Sequence, residues 1–94
     1  MKYKVTINVT LKDSILDPQG KTGLHALGAL GFQDAKDLRV GKHYVLTIDS
    51  ANKIEAKKEA EEMCQKLLAN PIIEKYFINV DDSEGTANLG GVNQ

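Results

Sequence analysis

The sequence predicts an α+β domain, an antiparallel sheet with two helices on one face. Three observations carry that prediction. Tyr3, Val5, Ile7, Val9 and Leu11 alternate with Lys4, Thr6, Asn8 and Thr10, a period of two rich in β-branched residues. A second alternation runs from Asp34 to Asp49, with Leu38, Val40, Tyr44, Leu46 and Ile48 on even positions. Apolar residues recur at helical spacing between and after these runs, as Leu24, Leu27 and Leu30, then as Ala56, Ala60, Met63, Cys64, Leu67 and Leu68. Strands with one apolar and one polar face belong to a sheet that covers a core on one side.

The first strand leads into a loop, Lys12–Asp17, and then a helix. Asp17 can cap the first free N–H groups, and Pro18 fits the first helical position, where its missing N–H costs nothing. Gly20, Gly23 and Gly28 interrupt this helix, at a cost of about 1 kcal/mol each relative to alanine. Either the helix is marginal alone or the glycines let something pack closely. Gly31 is the expected C-terminal cap.

The stretch Asp34–Asp49 follows. Gly41 at its centre reads as the first residue of a tight hairpin loop, or as a bend in one continuous strand. Apolar parity is the same on both sides of it, which favours one long strand bent at Gly41, although Lys42 breaks the pattern. At about 3.3 Å per residue such a strand runs roughly 50 Å, longer than its neighbours can cover. The overhang leaves backbone groups that need a partner, which predicts self-association through strand edges.

A second helix starts after Asp49, with Asn52 and Glu55 at capping-box spacing and Asp49 or Ser50 as alternative caps. Glu62 and Lys66 are placed to pair. Asn70-Pro71 ends the helix, and Tyr76, Ile78 and Val80 form a last strand. The order is strand, helix, long strand, helix, strand; were the long strand two, this would be the βαββαβ of a ferredoxin-like fold. Residues 1–81 form the single domain, and the polar residues 82–94 are expected to be a flexible tail.

Composition narrows the function classes. A chain of 94 residues with 12 basic and 13 acidic side chains has no basic surplus for nucleic acid. No apolar run is long enough to span a membrane, and the N-terminus has no signal region, so the cytoplasm is the expected location. The one cysteine excludes an internal disulfide. His25 and His43 fall on separate elements with no metal-ligand spacing, and Cys64 lies on an apolar stripe rather than in an electropositive site. No serine has a Gly-x-Ser-x-Gly context, Gly41-Lys42 lacks the rest of a phosphate loop, and Asp81–Glu84 is only a fragment of a calcium loop. A small enzyme using His25, His43 or Cys64 is therefore the weakest reading. A dimeric ferredoxin-like module that binds a small molecule is an alternative, motivated by the glycines of the first helix.

Three stretches carry a resemblance: Val9–Gly20 (VTLKDSILDPQG), Asp37–Lys42 (DLRVGK) and Leu67–Tyr76 (LLANPIIEKY). In order and spacing the chain resembles the PurS family, the small subunits of phosphoribosylformylglycinamidine synthase in purine biosynthesis. The resemblance implies a non-catalytic subunit that holds no cofactor; ATP, Mg and glutamine are used by the complex. It implies self-association as a dimer or tetramer, and bridging of a glutaminase subunit and a synthetase subunit so that ammonia passes between them. On the matching residues, Lys12, Asp17, Gln19, Gly20, Arg39, Gly41 and Lys42 become candidates for subunit contact. Asn70 and Pro71 are read as a helix stop.

Overall fold

The computed structural model describes residues 1–82. The chain runs β1 (Lys2–Leu11), α1 (Pro18–Ala29), β2 (Gly41–Asp49), α2 (Lys53–Met63) and β3 (Glu74–Asp82), with a π-helical turn, Cys64–Leu68, ending α2. The three strands form one antiparallel sheet in the order β2-β1-β3. The pattern that predicted β1 sets its fate. Tyr3, Val5, Ile7 and Val9 are buried at the sheet centre, and in register Ile7 faces Tyr44 on one side and Ile78 on the other. β3 extends to Asp82, one residue beyond the expected domain limit, and the tail expected over 82–94 otherwise lies outside the described residues.

α2 packs on β1 and β3. Ala56, Ala60 and Cys64 are fully buried against Val5, Ile7 and Val9, and the two alanines keep that helix face small enough to lie close to the strands. Asn52 is the cap, its Oδ1 accepting from the Glu55 N–H at 2.9 Å. Two expectations change at the other end. Ala69 N–H donates to the Cys64 carbonyl, a five-residue step that inserts an extra residue into the last turn. That rotation carries Leu67 off the core stripe to 81% exposure. The expected Glu62–Lys66 pair does not form; Lys58 instead pairs with Glu55 at 3.8 Å.

The long strand and the first helix differ most from expectation. Pairing begins at Gly41, opposite Thr10, and β1 ends at Leu11. In that register Val40 would face Leu11, the last residue of β1, so residues 35–39 have no β1 residue left to meet, and residues 35–40 form no strand within the chain. Gly41 is neither a hairpin turn nor a bend inside a ladder. It is the first paired residue, and a Cβ there would lie 2.7 Å from both the Val9 carbonyl oxygen and Thr10 Cγ2. Of the two helices expected on one face of the sheet, only α2 covers it. α1 has no comparable contact with any strand, and its one buried residue is Gly20. Its C-terminus matches expectation: Gly31 takes φ of 103°, and Phe32 N–H donates to the Leu27 carbonyl.

Candidate subunit interface

The loop 12–17, the segment 38–42 and the start of β3 meet at one end of the sheet, and Asp17 joins the first two. It is the one buried charged residue among those described. As N-cap of α1, its Oδ1 accepts from the Gly20 N–H at 2.9 Å. Its Oδ2 accepts from the Val40 N–H at 2.7 Å. The Val40 bond first, then the Gly20 bond, hold the carboxyl below the usual aspartate range against the opposing effect of desolvation, and the nearby Arg39 charge adds to the lowering. One side chain thus fixes the start of α1 to the segment that leads into β2.

Gly20 makes this junction possible. A Cβ on it would collide with the Leu38 carbonyl oxygen and would lie 2.9 Å from Asp17 Oδ2. At Gly23 the nearest atom is the tip of the Leu38 side chain, 2.7 Å away. Of the three glycines that suggested a ligand-binding helix, Gly20 and Gly23 are therefore accounted for by close approach to Leu38 of the same chain, while a Cβ on Gly28 would meet open space. Arg39 ties the loop to the same segment, its Nη2 donating to the Lys12 carbonyl at 3.0 Å and the Ile15 carbonyl at 3.1 Å.

The third segment closes on the other side. Lys12 N–H donates to the Ile73 carbonyl at 2.9 Å, just past the β1–β3 ladder. Lys42 reaches Glu74 Oε2 at 3.6 Å, and Glu74 Oε1 accepts from the Asn70 N–H at 2.6 Å. Lys75 pairs with Asp13 at 3.0 Å and draws the Asp13 carboxyl below its usual range. Asn70 Oδ1 accepts from Ile72 N–H, turning the chain into β3. The three stretches that carry the family resemblance thus converge on one junction, although they lie up to about sixty positions apart in the chain.

Of the candidates, Asp17, Gly20, Arg39, Gly41 and Lys42 are brought together, and each has a partner or a close neighbour in its own chain. Gln19 and the Lys12 side chain are exposed at the rim. Leu38, Asp13, Glu74 and Lys75 complete the junction and were not singled out from the sequence. Their signal was proximity to the matched motifs, since Glu74 and Lys75 lie within Leu67–Tyr76. The residues weighed for chemistry lie elsewhere. His43 Nδ1 is 2.7 Å from Asn8 Oδ1 on the polar face of the sheet, and His25 is exposed on α1. Cys64 is buried, and burial, with Glu61 nearby, raises its thiol pKa, the reverse of a nucleophile's setting.

Beside the junction, apolar surface is left open. Leu46, Met63, Leu67 and Leu68 line a groove of about 440 Å³ next to β2, rimmed by Glu59, Glu62 and Lys66. On α1, Leu24 and Leu27 are half-buried, and Leu30, its C-cap, is 74% exposed.

Comparison with known proteins agrees with this geometry. The family model described as PurS, phosphoribosylformylglycinamidine (FGAM) synthase, matches residues 4–82. The phosphoribosylformylglycinamidine synthase subunit PurS of Bacillus subtilis (strain 168) is 42% identical over 80 residues, 85% of this chain and 94% of that one. The crystal structure of Methanocaldococcus jannaschii PurS superposes with a TM-score of 0.78 at 42% identity, covering 85% of this chain and 96% of that one. A chain in the structure of PurLQS from Thermotoga maritima gives 0.79 at 30% identity, covering 85% and 98%. With the match running from β1 to the end of β3, this chain belongs to the PurS family.

Proposed function

We propose that this chain is the small, non-catalytic subunit of phosphoribosylformylglycinamidine synthase, acting in the cytoplasm in de novo purine biosynthesis. In this reading it bridges a glutaminase subunit, which releases ammonia from glutamine, and an ATP- and Mg-using synthetase subunit. The synthetase converts formylglycinamide ribonucleotide to the formylglycinamidine ribonucleotide with that ammonia. The observation that carries the reading is the convergence of the three matched stretches on one surface junction, where Asp17, Gly20 and Arg39 serve to hold segments together. Relatives over nearly the whole chain are named as subunits of this synthase, and one matched chain comes from a PurLQS structure.

The physical case for a bridge is the chemistry of ammonia. At neutral pH it is mostly protonated, and ammonium is not a nucleophile. Enclosure between aligned subunits preserves the reactive form and raises its effective concentration. The chain also associates with itself, as a dimer or tetramer. The outer edge of β2 and the groove beside it support this, since an open edge and uncovered leucines favour a second chain.

The test is reconstitution with the cognate glutaminase and synthetase subunits. Glutamine-dependent turnover is expected to require this chain, and turnover with added ammonium salt is expected not to. Equal glutamine-dependent rates with and without the chain would overturn the reading.

A further inference from the structure

No further inference is drawn: the strongest candidate, the open face of the sheet on which Val45 stands exposed opposite Thr6 and Phe77 exposed opposite Asn8, carries nothing, because nothing in the structure shows what covers it.

Discussion

α1 and α2 are nearly the same length, 12 and 11 residues, and they are treated in opposite ways. α2 buries two alanines, with Cys64 just beyond its end, and its charged side chains point to solvent. α1 has two leucines on its stripe, with Leu30 as its C-cap, and buries only a glycine. The helix with more apolar side chain is the one left uncovered. The burial of a helix is decided by what lies opposite it, and the hydrophobic stripe records only that something should. In α2 the partner is the sheet below; α1, among the described residues, lies against Leu38 and has no comparable packing on a strand. One half of the molecule is a finished core, and the other leaves apolar side chains uncovered among the described residues.

Ile7 and Leu27 put that contrast to its largest test. Ile7 is fully buried at the sheet centre, and Ile7→Ala is expected to cost about 2–5 kcal/mol of stability. The loss should appear as a lower unfolding midpoint at every protein concentration. Leu27→Ala removes a side chain that its own chain half covers, so the folded chain is expected to lose less than about 1 kcal/mol. Its effect belongs instead to the assembly. Wild-type unfolding is expected to shift upward with protein concentration, and the Leu27→Ala shift to be smaller. Thermal unfolding over a hundredfold concentration range measures both. An equal, concentration-independent loss in the two variants would break the distinction between the halves.

The same contrast governs what could be read in advance. The finished half was legible. The β1 alternation, the Asn52 cap and the buried Ala56–Ala60–Cys64 stripe follow from local patterns that the structure repeats. Where the reading failed, the missing information was not local. The alternation across Asp34–Asp49 reports which way side chains face in an extended chain, and it cannot report that β1 stops at Leu11. Leu67 left its stripe because the π-helical turn changed the helical phase, and no residue of Cys64–Leu68 announces such a turn. At the junction, Asp17 was visible as a cap, but its second bond, to Val40, spans 23 positions. Arg39 was visible as a cation, yet its acceptors are two backbone carbonyls, which have no signature in sequence.

Gly20 and Gly23 sharpen the comparison at intermediate size, because they sit in one helix and meet different atoms of one residue. Gly20→Ala would drive a Cβ into the Leu38 carbonyl, and backbone cannot step aside cheaply. The expected cost is about 1–3 kcal/mol, with α1 displaced from residues 38–40. Gly23→Ala meets only the end of the Leu38 side chain, which can rotate, while the helix gains up to about 1 kcal/mol in propensity. Gly23→Ala is therefore expected to be neutral or mildly stabilising. Chemical denaturation of the two variants separates the outcomes. Equal costs at the two positions would mean that the Leu38 carbonyl does not define how α1 is held.

The smallest expected effect lies at the boundary between the halves, at Lys42 and Glu74. Their 3.6 Å pair spans from β2 to β3 across the last residues of β1, with the Lys42 side chain 55% exposed. A pair so exposed contributes about 0.2–1 kcal/mol, and a double-mutant cycle of Lys42→Met and Glu74→Gln is expected to return a coupling in that range. Gln is the suitable change because its side-chain oxygen can still accept from Asn70 N–H, the second bond that Glu74 makes. If the pair is only internal, the same variants should leave glutamine-dependent turnover of the reconstituted complex nearly unchanged, as so small a loss leaves the fold intact. A fall in turnover on Lys42→Met without a matching fall on Glu74→Gln would assign the lysine to a second chain. In that case the boundary of the finished half would lie one strand residue further along, with Lys42 on the side that waits for a partner.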